Sequence, residues 1–136
     1  MILLSALIGQ EAIALGTATK NGTVTSVATA ADLIVAVGLS DRSIRADAVR
    51  SFEGDVLTYD ESSADVQTDC SDPRGRTVLD TSGDAHGTLT DLQIAEDGRI
   101  ETLVMNDGTT IEGNRLLAIG DYVVVSRVGN LASLPA

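Results

Sequence analysis

The side chains that could do chemistry are concentrated between residues 80 and 86, where Asp80, Ser82, Asp84 and His86 alternate with other residues. Carboxylates and hydroxyls that alternate in a loop can wrap a Ca²⁺ ion. The segment lacks, however, the glycine at the sixth position and the distal glutamate of an EF-hand loop. Asp80, Asp84 and His86 are therefore candidate metal ligands, but a plain turn between two strands explains their types better, because Asp, Ser and Gly are expected in turns.

A nucleophilic triad is a second interpretation of the same segment. Ser82, His86 and a neighbouring Asp have suitable side chains, but their spacing matches no nucleophile elbow. His86, the one histidine of the sequence, is better explained as an exposed turn residue than as a ligand. The sequence shows no convincing acid–base pair or nucleophile motif. We therefore predict no catalytic residue, no cofactor-binding residue and no cofactor, and we expect the protein not to be an enzyme.

The single cysteine, Cys70, lies in a polar segment. A lone cysteine cannot form a disulfide within its own chain. No basic neighbour or helix N-terminus is predicted beside it, so its pKa should not be lowered and its thiol should be inert. The absence of a disulfide favours a reducing compartment, and we expect a cytoplasmic protein.

The sequence repeats itself at an offset of 65 to 67 residues. The matching segments are 21–27 (NGTVTSV) with 86–92 (HGTLTDL), 43–49 (SIRADAV) with 110–116 (TIEGNRL), and 54–57 (GDVL) with 120–123 (GDYV). An offset that holds across three separated blocks predicts two copies of one small unit.

The two copies agree at turn and core positions and differ at polar ones. The differing pairs include Ser26 with Asp91, Arg45 with Glu112, and Asn21 with His86. What is repeated is a scaffold. Whatever the protein recognises should therefore lie where the copies disagree, or in the groove between them.

Short apolar segments, separated by Gly and Asp turns every few residues, predict an all-β fold. Each copy should form a small antiparallel barrel of five or six strands with a short helical turn, at 47–50 in the first copy and 114–117 in the second. Asp97-Gly98 and Asp107-Gly108 predict hairpin turns. Leu89 and Leu92 break strict alternation, which predicts a bulge.

The apolar residues beside the helical turns should fill the barrels, so Val49, Phe52, Leu116 and Leu117 are predicted core residues. We divide the chain into a first repeat (1–60), an acidic linker (61–76), a second repeat (77–129) and a tail (130–136). Residues 1–8 are apolar but lack the features of a signal peptide, and we expect them to lead into the first strand.

The net charge of −11 limits the classes of partner. It opposes direct binding to nucleic acid, whose phosphates need Lys and Arg, and to anionic lipid surfaces. An acidic surface suits either a salt-adapted organism or a basic protein partner. No apolar run approaches the roughly 20 residues of a membrane span, so no transmembrane segment is predicted. Each unit of about 55 residues would bury about 60% of its surface alone, so we expect the copies to pack together and the chain to be a homo-oligomer, most simply a homodimer.

Several of these segments resemble the PRC-barrel domain family, named for the cytoplasmic domain of the photosynthetic reaction-centre H subunit. The opening of the family is matched by residues 7–9 (LIG) leading to 21–24 (NGTV), and by 78–80 (VLD) leading to 86–92. Its closing segment is matched by 116–125 (LLAIGDYVVV) and by 49–57 (VRSFEGDVL). The first copy departs more from the pattern, with Ser26 where the second has Asp91 and a central turn (30–32, AAD) without glycine.

The resemblance implies a docking or scaffolding role, since PRC-barrel members act at a photosynthetic complex, at the ribosome in a maturation factor, and in archaeal division-associated proteins. The family shares no catalytic motif, so none is transferred here. The leading hypothesis is a non-enzymatic protein-interaction module that docks onto a protein partner. The alternative is a small-ligand or metal-binding barrel with its site between the two repeats, because barrels this small are filled by their own side chains. An enzyme is the third hypothesis.

Overall fold

The computed structural model of the protein describes residues 1–62 and 64–127. The predicted tail (130–136) and the last two residues of the predicted second repeat lie outside the described residues. The strands, in chain order, are β1 (Ile2–Leu3), β2 (Glu11–Ala14), β3 (Thr19–Ala30), β4 (Leu33–Leu39), β5 (Ser43–Arg45), β6 (Val49–Ser51), β7 (Leu57–Tyr59), β8 (Asp65–Val66), β9 (Thr77–Asp80), β10 (Ala85–Ile94), β11 (Ile100–Met105), β12 (Thr110–Glu112), β13 (Leu116–Ile119) and β14 (Val123–Val125). One four-residue helix, α1 (Leu4–Leu7), and two 3₁₀ turns, Ala46–Ala48 and Gly113–Arg115, complete the described elements. The predicted all-β class is confirmed.

The strands form two curled half-barrel sheets with the same strand order. The first sheet runs β6-β7-β2-β3-β4-β5-β8, and the second runs β13-β14-β9-β10-β11-β12 with β1 added beside β10. In each sheet the last strand returns parallel to the first, β7 beside β2 and β14 beside β9. The barrels are therefore antiparallel except at this pair. The exception arises because a 3₁₀ turn connects β5 to β6 and β12 to β13 without reversing the chain direction, as a hairpin turn would.

The two sheets also share their register. Val24 pairs with Leu39 in the first sheet, and Leu89 pairs with Met105 in the second. Each pair is followed by a register shift, which ends at Ser26 in β3 and at Asp91 in β10. The bulge predicted between Leu89 and Leu92 is confirmed, and its recurrence in β3 shows that both copies bend at the same point.

Residues 1–8 precede β2, the first strand of the first sheet, but they also form elements of their own. Strand β1 pairs with β10 of the second sheet, where Ile2 lies opposite Ile94. The following helix α1 buries Leu4 and Leu7 completely. Burial explains the arrangement, because two leucines so close to the N-terminus gain free energy only where an apolar surface covers them.

The segment between the sheets makes the reciprocal contact. Ser71 forms a two-way backbone pair with Val27 on β3, with N···O distances of 2.9 and 3.0 Å. Strand β8, which also lies in the predicted linker, pairs with β5. Each sheet is thus extended by the residues that precede the first strand of the other sheet.

Equivalent hairpin turns of the two sheets also bond directly to each other. The N–H of Ile34 donates to the carbonyl of Gly98 at 3.0 Å, and the N–H of Ile100 donates to the carbonyl of Asp32 at 2.7 Å. The two donors, Ile34 and Ile100, lie 66 positions apart in the chain, and so do the two acceptors, Asp32 and Gly98. The contact is therefore self-complementary, like the interface of a two-fold symmetric dimer, although both halves belong to one chain.

One apolar core spans both sheets. Of the predicted core residues, Phe52 and Leu116 are each 2% exposed, while Val49 and Leu117 are partly buried. The 3₁₀ turns lie slightly earlier in the sequence than expected, so Val49 and Leu116 begin strands. None of the helices in the described part of the chain is long and apolar enough to cross a membrane.

Candidate docking surface

The structure brings Asp80 and His86 together at the end of β9 and the start of β10. His86 Nε2 lies 2.9 Å from Asp80 Oδ2, and Asp80 Oδ1 accepts hydrogen bonds from the N–H groups of Ser82 (2.8 Å) and Asp84 (3.2 Å). The hydrogen bond with His86 is the main reason that the pKa of the Asp80 carboxyl lies below its ordinary value of 3.8, and the two backbone bonds act in the same direction. Asp80 is buried, whereas His86 is exposed.

These contacts give Asp80 the role of closing the turn. Its own backbone bonds to the turn as well, since its N–H donates to Asp84 and its carbonyl accepts from Gly83. The side chains of Ser82 and Asp84 are exposed. Within residues 1–62 and 64–127, no three His, Cys, Asp or Glu side chains are grouped to hold a metal ion. The arrangement fits a side-chain-stabilised turn.

The thiol of Cys70 is half-buried in the linker segment. Its Sγ lies 3.7 Å from Ser43 Oγ and 3.7 Å from the carbonyl of Thr68. Burial raises the pKa of the Cys70 thiol above its ordinary value of 9.0. A raised pKa disfavours the nucleophilic thiolate, in agreement with the inert thiol that the sequence predicts.

Two clefts flank the turns through which the sheets bond, and they occupy equivalent positions in the two copies. The first, of about 370 Å³, we call the Leu33 cleft; it is lined by Leu33, Ile34, Val35, Arg45, Ala46, Asp47 and Asp97. The second, of about 330 Å³, we call the Arg99 cleft; it is lined by Asp32, Arg99, Ile100, Glu101, Glu112, Gly113 and Asn114. The register makes Leu33 the counterpart of Arg99, and Val35 that of Glu101.

The chemistry of the two clefts differs although their backbone is shared. Leu33 and Val35 are 43% and 38% exposed, while their counterparts in the Arg99 cleft are charged. The Arg99 cleft also has Gly113 against the carbonyl of Ile100, where an added Cβ would overlap the oxygen. The first copy thus has two exposed aliphatic side chains, Leu33 and Val35, at the positions where the second copy has the charged residues Arg99 and Glu101.

A third concavity, the inter-sheet groove, lies between the copies. It holds about 200 Å³ and is lined by Val27, Ala28, Thr29, Val35, Thr68, Asp69, Ser71, Pro73 and Ile119. Val35 lines both this groove and the Leu33 cleft, so the two concavities are adjacent. The groove is smaller than the roughly 300–1,000 Å³ of ordinary small-molecule pockets.

The match to known families falls on the second copy. Residues 65–130 match the PRC-barrel domain family. The matched region includes β8 and the strands from β9 to β14, together with the Asp80 turn and most of the Arg99 cleft. No curated protein matches the chain.

Sequence reasoning located part of this surface and missed the rest. It named Arg45 and Glu112 as differing positions, and they line the equivalent clefts. Of the other differing residues, Asn21 bonds to the buried Tyr59 hydroxyl at 3.0 Å, and Asp91 accepts the N–H of Ser5 at 3.0 Å. The Leu33–Val35 pair was missed because β4 is apolar on both faces, which hides the outward residues. A comparison with their charged counterparts, Arg99 just before β11 and Glu101 within it, would have found them.

Proposed function

We propose that this chain is a non-enzymatic docking protein built from two PRC-barrel repeats, which binds a protein partner through the surface of its first repeat. The observation that carries the proposal is the exposed pair Leu33 and Val35, which stands where the second repeat has Arg99 and Glu101. Neighbouring aliphatic side chains that are exposed together in a cleft are typical of an interaction surface, and the second copy has charged residues at the same positions.

The assignment of the first copy as a second PRC-type barrel rests on structure. Its sheet has the strand order of the matched domain, the same parallel closing pair and bulges at corresponding points. Sequence divergence on a shared backbone is what two copies with different roles require. In this proposal the first repeat supplies the aliphatic wall of the binding surface, and the second repeat supports the fold and adds Asp97 to the same cleft.

The proposed partner is a protein with a basic surface. The net charge of −11 favours encounter with a basic partner and opposes direct contact with nucleic acid phosphates. A cytoplasmic location and self-association remain predictions of the sequence.

The small-ligand alternative places its site between the repeats, and the inter-sheet groove offers little room for one. At about 200 Å³ it would hold a ligand smaller than most cofactors. The observation in favour of a ligand is the hydroxyl of Thr29, which is buried in this groove without a hydrogen-bond partner. If a metabolite or metal ion occupied the groove, thermal melts across a panel of Ca²⁺, Mg²⁺, Zn²⁺ and metabolites would show a shift, and we expect none.

Affinity purification from native cells tests the proposal. Tagged wild-type protein, the variant L33R/V35E and the variant R99K/E101D would be compared by quantitative mass spectrometry. We expect at least one protein to recur with the wild type and with R99K/E101D, and to be depleted with L33R/V35E. If no protein recurs with the wild type, or if a recurring protein is unaffected by L33R/V35E, docking through the first repeat is wrong.

A further inference from the structure

We propose that the Leu33 cleft binds a protein segment presenting an aliphatic side chain next to a Lys or Arg. This inference rests on the proposed docking function and specifies the chemistry of the partner. It follows from the shape of the cleft, its charges, and its contrast with the Arg99 cleft.

The apolar part of the cleft is suited to one aliphatic side chain. Leu33 and Val35 form its exposed wall, with Ile34, which is 2% exposed, and Ala46 completing the lining. A volume of about 370 Å³ admits a leucine-sized side chain and part of its neighbour. Covering the exposed fractions of Leu33 and Val35 would remove apolar surface from water, which favours binding.

The charged part of the cleft has a net negative charge. Arg45 Nε lies 3.4 Å from Asp47 Oδ1, so the cation is offset by the neighbouring carboxylate. Asp97 is the other carboxylate that lines the cleft, and one of its oxygens accepts the N–H of Arg99 at 3.0 Å. The second carboxylate oxygen of Asp97 is left to receive a cation from a partner.

Lys and Arg fit this arrangement better than a small cation would. Their aliphatic stems can lie along Leu33 and Val35 while the charged end reaches Asp97. An acidic segment would meet the carboxylates of the cleft and the net charge of the whole chain. We therefore assign the occupant to a basic partner, and the acidic surface supplies attraction during encounter.

The Arg99 cleft provides an internal control, since it shares the backbone and lacks the aliphatic wall. The exchange L33R/V35E gives the first repeat the two side chains that the second repeat carries in the same register. Because the second sheet carries these side chains at the equivalent positions, and because Leu33 and Val35 are partly exposed, the variant should fold. Threonines at both positions, L33T/V35T, form a second variant that removes apolar surface and places β-branched residues, which suit a strand, at both positions.

Methyl NMR titration of the full chain tests the inference with two defined peptides, Gly-Lys-Leu-Lys-Gly and its counterpart Gly-Glu-Leu-Glu-Gly, each acetylated and amidated. We expect the lysine peptide to shift the methyl signals of Leu33 and Val35, with weaker affinity as salt is added. The glutamate peptide should not shift them. L33R/V35E and L33T/V35T should weaken binding of the lysine peptide at least tenfold, whereas R99K/E101D should bind it like the wild type.

The possible failures can be told apart. If the lysine peptide shifts only signals of the Arg99 cleft or the inter-sheet groove, the Leu33 cleft is the wrong site, while docking as such stands. Equal binding of the glutamate peptide contradicts the basic partner. Shifts of the Leu33 and Val35 methyl signals that grow with protein concentration in the absence of peptide would assign the cleft to a second copy of this chain and overturn the inference. A recurring native partner that is lost with L33R/V35E, combined with no peptide binding, supports docking and rejects the proposed chemistry.

Discussion

Replacing Leu7 by alanine tests whether the N-terminal residues are part of the shared core. Leu7 is completely buried in α1, and α1 packs on β10 of the second sheet. The segment is fixed at two further points, by the pairing of β1 with β10 and by the bond from Ser5 N–H to the Asp91 carboxylate at 3.0 Å. These attachments limit how far the chain can move to fill a cavity.

The magnitude follows from the deletion of three buried carbon atoms. Leu→Ala substitutions at fully buried sites cost about 2–5 kcal/mol, with larger values where the site cannot collapse. We therefore expect the free energy of unfolding to fall by about 3 kcal/mol, a large part of the roughly 5–15 kcal/mol of an ordinary domain. With a urea dependence of about 2 kcal/mol per molar, the midpoint should fall by about 1.5 M.

Urea denaturation followed by far-UV circular dichroism measures this change. Leu15→Ala is the matched control, because it removes the same atoms from a side chain that is 47% exposed, and it should cost less than about 1 kcal/mol. Amide exchange at residues 93–94 of β10 should also accelerate in Leu7→Ala. A Leu7→Ala variant as stable as Leu15→Ala would refute the packing of α1 on the second sheet.

Three further substitutions test individual features of the fold. Gly113→Ala should lower the free energy of unfolding by about 2–3 kcal/mol, because the new Cβ would overlap the carbonyl oxygen of Ile100. The equivalent substitution in the first repeat, Ala46→Gly, should cost no more than about 1 kcal/mol. Equal effects of the two variants in chemical denaturation would contradict the difference between the clefts. Ala31→Gly should stabilise the protein by about 0.5–1 kcal/mol, because Ala31 adopts a φ of +50°, which strains a residue with a Cβ. A thermal midpoint of Ala31→Gly below that of the wild type would show that no strain exists there. The Asp80 carboxyl has a pKa below its ordinary value of 3.8, so its contribution to stability is present above that value and is lost as pH falls through the lower pKa of the folded state. Asp80→Asn should therefore flatten the acid limb of a stability-against-pH curve, as His86→Ala should to a smaller degree, and an unchanged acid limb in Asp80→Asn would argue against the turn contacts.

The features that the sequence predicts correctly are mostly local. The hairpin turns at Asp97-Gly98 and Asp107-Gly108 follow from glycines that adopt positive φ, at +88° and +87°. The bulge after Leu89 follows from broken alternation within a single strand. Such features depend on neighbouring residues, and short sequence patterns are enough to identify them.

The features that sequence reasoning misses depend on contacts between distant residues. The strand β13 was expected to begin as a helical turn, because Leu116 and Leu117 form an apolar pair whose pairing partner, β14, could not be inferred locally. The pairing of β1 with β10 joins residues about 90 positions apart, and nothing in residues 1–8 specifies that partner. For the candidate site, the repeat correctly directs attention to positions where the copies differ, but which of them are exposed depends on how β4 faces the second sheet.

Transferring the binding surface from one repeat to the other tests the central claim most directly. The variant L33R/V35E/R99L/E101V exchanges the wall residues of the two clefts on their common backbone. Asp97 remains in the Leu33 cleft, but Asp32 and Glu112 supply carboxylates for a lysine in the Arg99 cleft. In a methyl NMR titration with Gly-Lys-Leu-Lys-Gly, we therefore predict that the shifted signals move from residues 33 and 35 to the new Leu and Val at positions 99 and 101. Binding that stays on the first repeat, or that disappears from both clefts, would contradict the account.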